Sequence, residues 1–339
     1  SDPVYVTAEV TDDHASPLAV TANWRVDGGS TFTAVTMADD GSHGDVLPGD
    51  GIYGAILPLQ PGGTIVEFHV SASDGSLSRN WPAPLLGDDG ALTPSQAANC
   101  LYQVDDTVYS AAMPLYRIVM KAADKSELAF INSGGTAGAH PYPYYTGESA
   151  DQTMSHARFN ASFVAIDGTG TSLRYRVGVR NRGNGSRSRS PQGLNVMFPN
   201  DDPWNGATQF NLNSQYTPWQ LFGAALFAKA GVPAPQSRAV QFRWNSLNPA
   251  GSGSPAYGFY ACNEAWNSDL TDNRFPTDSS GNLYRSVRLF QGNTTDGTSI
   301  PNGGDFQHIV PGGSETKSLV DLYKLNYKKQ TNTAENIWT

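Results

Sequence analysis

The sequence predicts an α+β protein in which an antiparallel β-sandwich is followed by a mixed α+β domain. Its 339 residues exceed the roughly 100 to 200 residues of a usual domain, so two domains with separate cores are expected. Hydrophobic residues make up 39% of the chain and charged residues 16%, and the 35 glycines and 22 prolines are typical of a folded chain rich in strands and turns. We place the sandwich at residues 1–86, a linker with a short helix at 87–113, and the second domain at 114–339.

The charge of the chain limits its partners. A formal net charge of −9 excludes general binding to nucleic acids or anionic membranes, because those partners require a basic surface. No apolar run is long enough to predict a membrane span. Few lysines and many Asn, Thr, Ser and Gly residues favour an extracellular or cell-surface protein. The two cysteines, Cys100 and Cys262, either pair in an oxidising compartment or are independent buried residues.

Five short runs of alternating hydrophobicity, at roughly ten-residue spacing, predict the strands of the first domain. Separated by Gly, Pro, Asp and Ser clusters, they cover residues 4–10, 20–26, 32–37, 51–57 and 65–72. This arrangement indicates an immunoglobulin-like sandwich. Trp24 and Tyr53 are its predicted core aromatics, because the polar residues beside them alternate to the outer face.

An aspartate-rich loop at residues 39–51 separates the third and fourth of these strands. It carries four carboxylates, those of Asp39, Asp40, Asp45 and Asp50. Clustered oxygen atoms suit Ca²⁺, which takes roughly six to eight such ligands. The alternative is a solvated turn without metal, because aspartate also stabilises turns by accepting hydrogen bonds from nearby backbone.

Local signals predict the first elements after the sandwich. A Thr N-cap followed by Pro at residues 93–98 predicts a short helix. Residues 114–120 are rich in β-formers and predict a strand, and residues 126–130 predict one helical turn.

Two alternating segments, residues 154–166 and 173–181, predict a hairpin. In the second segment one parity is apolar and the other carries Arg174, Arg176, Arg180 and Arg182. Guanidinium groups about 7 Å apart repel one another, so such a face requires either neighbouring carboxylates or a bound polyanion. Arginine is the side chain that binds phosphate bidentately. The Gly- and Ser-rich loop that follows adds Arg187, Arg189 and backbone N–H groups suited to an anion nest.

Two further features complete the second domain. Residues 217–233 have a Thr N-cap, Pro at the first helical position and a closing Gly, and only Gln220 and Lys229 are strongly polar. This pattern predicts a helix buried between layers. Glu264 follows a predicted strand at 256–263, where a carboxylate either orients a lysine or arginine near a phosphate or caps a turn.

Five motifs lie in order along the second domain. They are VRNRGNGSR at 179–187, NLNS at 211–214, AGVPAPQSR at 230–238, YGFY at 257–260 with Glu264, and GNLYR at 281–285. Together they resemble the CotH family of spore-coat and surface proteins, which are similar to atypical secreted protein kinases. The resemblance covers the region from about residue 114 onwards and implies a kinase-like fold there.

The resemblance also implies an activity, which is Mg²⁺-dependent transfer of phosphate from ATP to Ser or Thr of secreted or coat proteins. Arg182 and Arg187 would lie near the nucleotide phosphates, with Arg180 and Arg189 in the same cofactor site. Glu264 would take the orienting role of the kinase glutamate.

The sequence departs from the family pattern at two places. Residues 191–193 read Pro-Gln-Gly where the family commonly has Pro-Lys-Lys. The family's catalytic and metal-binding aspartates lie further toward the C-terminus, so we expect an incomplete domain that is inactive by itself. The alternative function is a non-catalytic extracellular module that recognises a surface polymer or coat protein.

Overall fold

A computed structural model of the chain describes residues 2–13, 17–86, 94–131, 158–182, 190–250, 257–277, 279, 283–286 and 306–310. Strands dominate these residues, so the protein is mostly β. Its residues form two compact units. The first comprises residues 1–226 and 236–263, and the second comprises residues 227–235 and 264–339.

Two antiparallel sheets make up residues 4–103, which we call the two-sheet region. The smaller sheet pairs β1 (Val4–Glu9) with β4 (Ile52–Leu57). The larger sheet contains β2 (Ala19–Val26), β3 (Thr33–Met37), β5 (Ile65–Ser73), β6 (Ser78–Trp81) and β9 (Cys100–Gln103). Its strand order is β3-β2-β5-β6, and β9 also pairs with β5. A separate short pair joins β7 (Leu85–Leu86) to β8 (Pro94–Ser95).

The two sheets share one apolar core. Its buried members come from strands of both sheets and are Val6, Val20, Ala22, Met37, Ala55, Leu57, Phe68, Val70 and Cys100. The five strands predicted for this region are confirmed, each within one residue of its predicted bounds. Trp24 and Tyr53 pack against this core as predicted, although both remain partly exposed.

The short helix predicted after the sandwich is wrong. Described residues 94–113 contain no helix; Pro94 and Ser95 pair with β7, and residues 100–103 form β9. The capping signal was local, whereas the neighbouring strands offer hydrogen-bond partners to the same backbone groups. Part of the predicted linker is therefore a strand of the larger sheet.

Seven strands close into a barrel. They are β10 (Leu115–Val119), β11 (Phe159–Ile166), β12 (Thr171–Asn181), β13 (Leu194–Met197), β14 (Gln209–Asn213), β15 (Ser237–Trp244) and β16 (Tyr260–Glu264). Their order around the barrel is β10-β11-β12-β13-β14-β16-β15. The barrel closes where β10 and β15 pair in parallel, with Leu115 opposite Gln241. Closure leaves these strands without free edges.

Aromatic side chains fill the barrel. Phe163 is fully buried, and its ring lies 5.2 to 5.4 Å from the rings of Tyr116, Phe198, Trp204 and Phe210. Most of these contacts are edge-to-face, the arrangement that aromatic quadrupoles favour. The interior is thus a packed aromatic core.

The two-sheet region packs directly on the barrel within the first compact unit. The backbone N–H of Leu101, in β9, donates to Ser162 Oγ in β11 at 3.2 Å. Asn160 Nδ2 donates to the carbonyl of Asn99 at 2.8 Å. The side chain of Tyr175, in β12, packs edge-on against Phe68 with ring centroids 5.5 Å apart. Residues assigned to a linker from sequence therefore lie at this junction.

The described helices are α1 (Ala122–Ile131), α2 (Thr217–Lys229) and α3 (Ser268–Arg274). The predicted burial of α2 is wrong, because only Thr217 is buried and Trp219, Phe222 and Leu226 are more than half exposed. The sequence of a helix shows that its surface is apolar, but that surface is buried only if another element packs against it. No described helix has the length and apolar character to span a membrane.

Both cysteines are free and buried, one in β9 and one in β16. Burial raises the pKa of each thiol to about 12. The structure therefore shows two independent buried thiols rather than a disulfide. The last described strands, β17 (Leu283–Ser286) and β18 (Phe306–Val310), form an antiparallel pair in the second compact unit.

Candidate functional site

A β-bulge interrupts the strand that carries the arginines. Ala161 of β11 pairs with Val177 of β12, but Phe163 pairs with Arg174, so β12 contains one extra residue. Arg176 accommodates it with φ 56°, in the left-handed region. An extra residue reverses the alternation of side chains beyond it. The predicted single face of four arginines is therefore wrong.

Arg174 shows the consequence. It lies opposite Phe163, a residue of the barrel core, and its Nε is 2.8 Å from Asp202 Oδ1. The same Nε donates to the carbonyl of Pro203 at 3.3 Å. At this position the structure shows the first of the two predicted alternatives, neutralisation by a neighbouring carboxylate.

Beyond the bulge, arginines and asparagines meet on the outer wall of the barrel. We call this group the arginine–asparagine cluster, and it consists of Arg158, Arg180, Arg182, Asn195, Asn211 and Asn213. Arg180 pairs with Asn195, and Asn195 pairs with Asn211, so one row crosses three strands. Five of the six residues that flank this row in sequence belong to the barrel core, which places the row outside. Asn195 and Asn211 are nevertheless buried.

Two guanidinium groups lie close together in this cluster. The stem of Arg158 passes over Gly178, where a Cβ would lie 3.1 Å from Arg158 Cδ, and Arg158 Nη1 donates to the Gly178 carbonyl at 3.3 Å. Burial lowers the pKa of Arg158 to about 10, and the charge of Arg180 contributes. Burial also lowers the pKa of Arg180. In both cases the removal of the side chain from water disfavours its charged form.

Asparagine side chains line the row beside these cations. Asn195 Nδ2 donates to Asn211 Oδ1 at 2.9 Å and to the carbonyl of Phe210 at 3.3 Å. Asn195 Oδ1 is buried, and no donor in the described part of the chain reaches it. A buried amide oxygen without a donor is unfavourable, so this atom can accept a hydrogen bond from a ligand.

Arg182 is held by a chain of amides. Its backbone N–H donates to the carbonyl of Gly193 at 2.9 Å, and its Nη1 donates to Asn213 Oδ1. Asn213 Nδ2 in turn donates to Gln220 Oε1 at 2.6 Å, and Asn263 Nδ2 donates to the same oxygen at 2.7 Å. These bonds fix the position of the Arg182 guanidinium.

The structure brings together only part of the predicted cofactor site. Arg180 and Arg182 lie in the cluster, whereas Arg187 and Arg189 fall outside the described residues. Sequence reasoning did not assign Asn195 or Arg158 to the site. A sequence signal for Asn195 was present, since its amide lies between two apolar residues of a short strand. The sequence carried no signal for Arg158, because its approach to Arg180 depends on the strand register beyond the bulge.

Glu264 belongs to the second compact unit. Its Oε2 accepts a hydrogen bond from Arg274 Nη2 at 2.6 Å, and its Oε1 accepts one from Asn273 Nδ2 at 2.9 Å. Arg274 also donates to the carbonyl of Ala234 through Nε and Nη2. Glu264 therefore orients an arginine, within a local set of hydrogen bonds.

Three of the four predicted metal ligands come together in the aspartate loop. Carboxylate oxygens of Asp39, Asp45 and Asp50 lie within 4.8 Å of one another. Asp40 is not in this group; its Oδ1 accepts the N–H of Ser42 at 2.9 Å and lies 3.3 Å from His43 Nδ1.

The same carboxylates also hold the loop through backbone hydrogen bonds. Asp39 accepts the N–H groups of Gly49 at 2.5 Å and Gly51 at 2.9 Å. Asp45, which is 4% exposed, accepts the N–H of Gly41 at 2.7 Å. This geometry is the aspartate-stabilised turn of the alternative interpretation, and Ca²⁺ at the triad stays a prediction.

Comparison with known proteins does not assign the chain to a family. No protein-family model matches the chain, and no curated protein sequence matches it. The resemblance to the CotH family therefore stays a prediction from the five motifs.

Proposed function

We propose that the arginine–asparagine cluster binds a phosphate-bearing ligand. The observation that carries the proposal is the pair Arg158 and Arg180, two partly buried arginines that adjoin the paired residues Phe159 and Val179 and whose charges act on each other. The planar guanidinium of arginine binds phosphate oxygens bidentately. Because the chain as a whole is acidic, only a local group of cations such as this one can attract an anion. The buried Asn195 Oδ1 supplies an acceptor for a hydroxyl of the same ligand.

ATP with Mg²⁺ is the specific ligand that we propose, on the resemblance to the CotH family. The described side chains of the cluster are guanidiniums and amides, which suit phosphate oxygens. Mg²⁺ prefers carboxylate and phosphate oxygens, so these residues do not form a site for the free ion, and it would enter on the nucleotide. The resemblance further assigns the chain to secreted or cell-surface kinase-like proteins that act on coat proteins.

Calorimetric titration of the full chain tests the ligand class. We expect heat with Mg·ATP and with inorganic triphosphate, and binding about tenfold weaker or more in Arg180→Ala, since a charge-assisted hydrogen bond contributes about 1.5–3 kcal/mol. Arg158→Ala should weaken binding similarly.

Arg243→Ala is the matched control. Arg243 lies on β15 of the same barrel, and its Nη1 donates only to Gln241 and to the carbonyl of Phe242 among the bonds described. It should bind the nucleotide as the wild type does. The absence of heat with both ligands, or equal affinity in Arg180→Ala and wild type, would remove the proposal.

A second candidate function is a non-catalytic surface module whose first domain, interpreted as immunoglobulin-like, holds a partner. An open groove in the two-sheet region favours it. This candidate does not involve the arginines, so the two functions are separable by where a substitution abolishes binding.

A further inference from the structure

A groove of about 670 Å³ opens in the two-sheet region. Residues 5–11 line one side of it and residues 79–81 line the other. Its floor includes Phe68, Val70 and Ala72, alternate residues of β5 whose side chains face the core. The apolar core of the two-sheet region is thus accessible from outside along this groove.

The two sides of the groove are strand edges. Side chains alternate along a strand, so a strand that lines a groove with seven consecutive residues presents its backbone edge rather than one face. Among the described strands, β1 pairs only with β4, and β6 pairs only with β5. Both edges facing the groove therefore carry backbone groups with no sheet partner in the described chain.

The direction of the β1 amides agrees with this arrangement. The N–H of Val10 donates to the carbonyl of Gly51, on the β4 side, at 2.9 Å. Because amides of successive residues point to opposite sides of a strand, those of Tyr5, Thr7 and Glu9 point toward the groove.

Trp81 shows that no described element covers this side of the larger sheet at its β6 edge. It pairs with Val70, a buried core residue, so the two side chains stand on the same core-facing side of the sheet. Trp81 is nevertheless 53% exposed, against 6% for Val70. Arg79, opposite Ala72, is exposed on the same side. A core-facing tryptophan at a sheet edge stays exposed only if nothing packs across it.

One end of the groove is acidic. Past Thr11 it adjoins a second space of about 410 Å³, lined by Asp12, Asp13 and Asp74. Arg79 lines both spaces and is the one cation among their lining residues. The charge at this end favours a basic side chain on the occupant.

We propose that an extended segment of another polypeptide adds as a strand between β1 and β6. Its apolar side chains, at alternate positions, would cover the floor and Trp81, and a lysine or arginine would lie at the acidic end. Unpaired backbone donors and acceptors on both edges suit a peptide backbone, which is the reason for choosing a peptide over a polysaccharide. The inference rests on the surface-module candidate and names its partner class; it is independent of the arginine–asparagine cluster.

Synthetic nine-residue peptides of alternating valine and threonine test the proposal on the full chain. We expect the version with lysine at both ends to bind more tightly than the version with glutamate at both ends. Methylation of alternate peptide nitrogens should abolish binding, because it removes the donors of one edge. In NMR hydrogen exchange, bound peptide should slow the amides of Tyr5, Thr7 and Glu9, while Val10, already bonded to β4, serves as the internal reference.

Substitutions in the groove provide the second arm. Trp81→Ala should weaken peptide binding about 30-fold, the effect of losing a hot-spot aromatic. The control Trp219→Ala removes an indole that is 68% exposed on α2 and should leave affinity unchanged. Thr7→Pro removes one groove-facing N–H and should also weaken binding about tenfold or more.

Three results would overturn the inference: equal binding of the methylated peptide, unchanged exchange at Tyr5, Thr7 and Glu9, or equal affinity in Trp81→Ala and Trp219→Ala. Binding of a β-1,4-glucan oligosaccharide that Trp81→Ala abolishes, without any peptide binding, would also overturn strand addition. That last result would leave the surface-module candidate standing.

Discussion

The barrel and the two-sheet region are built from similar alternating strands but end in opposite states. The barrel closes through the parallel pairing of β10 with β15, and its aromatic core is sealed. Among the described strands of the two-sheet region, β1 and β6 each keep one edge unpaired, and the core-facing Trp81 is half exposed. Strands with alternating apolar residues therefore build a core in both regions. That core is closed only where the first and last strands of the sheet also pair with each other. We therefore propose the outer wall of the barrel and the interior of the two-sheet region as two separate binding surfaces.

The largest expected effect tests the sealed core. Phe163→Ala removes a fully buried ring that contacts four other aromatics, and it should lower the free energy of unfolding by about 3–5 kcal/mol. Trp81→Ala, in the open region, should cost less than about 1 kcal/mol because half of the indole is already in water. Denaturant titration of both variants measures the contrast. Similar losses would mean that the two cores are equally closed.

The second test compares ion pairs. Glu67, 1% exposed, accepts hydrogen bonds from Arg25 Nε at 2.9 Å and from Asn99 Nδ2 at 2.6 Å. Glu67→Ala leaves a partly buried guanidinium and an amide without their acceptor and should cost about 2–3 kcal/mol. On the barrel, Asp202→Ala breaks a pair whose side chains are 28% and 54% exposed, and it should cost about 0.5 kcal/mol. Urea unfolding of the two variants decides whether burial sets this order.

Calcium should act on the two-sheet region alone. If Asp39, Asp45 and Asp50 bind it, Ca²⁺ at about ten times its Kd should stabilise the chain by about 1.4 kcal/mol and raise the thermal midpoint by a few degrees. Asp45→Asn should abolish the shift, and the matched variant Asp40→Asn, outside the triad, should keep it. An unchanged midpoint in wild type would leave the loop as a hydrogen-bonded turn.

The smallest expected effect is a pH dependence from His69. Burial lowers its pKa, the charge of Arg25 lowers it further, and Glu67 opposes the shift. The folded state thus prefers the neutral ring, and the unfolded chain takes up the proton first as the pH falls through about 6.5. The stability that His69 contributes is therefore full above that pH and lost below it.

Thermal unfolding between pH 8 and pH 5.5 measures this loss of stability. In His69→Gln the unfolding midpoint should fall less over this pH range than it does in the wild type. The barrel strands contain no histidine, so the two regions should differ in this window. An identical profile in wild type and His69→Gln would contradict the assignment.

The sequence alone predicted the strands well. The five runs of the two-sheet region and the hairpin of β11 and β12 were assigned near their observed bounds, because alternation and turn residues act locally. The aspartate loop was also visible, since its carboxylates lie within twelve residues. Arg180 and Arg182 were assigned to the candidate site for the same reason.

Tertiary structure decided the rest. The bulge at Arg176 placed Arg174 on the opposite face of β12. Sequence periodicity cannot predict this extra residue, because the bulge exists only in the pairing of β12 with β11. The closure of the barrel joins β10 to β15 across more than a hundred residues, and the meeting of Arg158 with Arg180 follows from strand pairing. Whether α2 and Trp81 are covered depends on which elements pack beside them. Local patterns fix what a segment becomes, but the pairing of distant edges fixes which of its faces a ligand can reach.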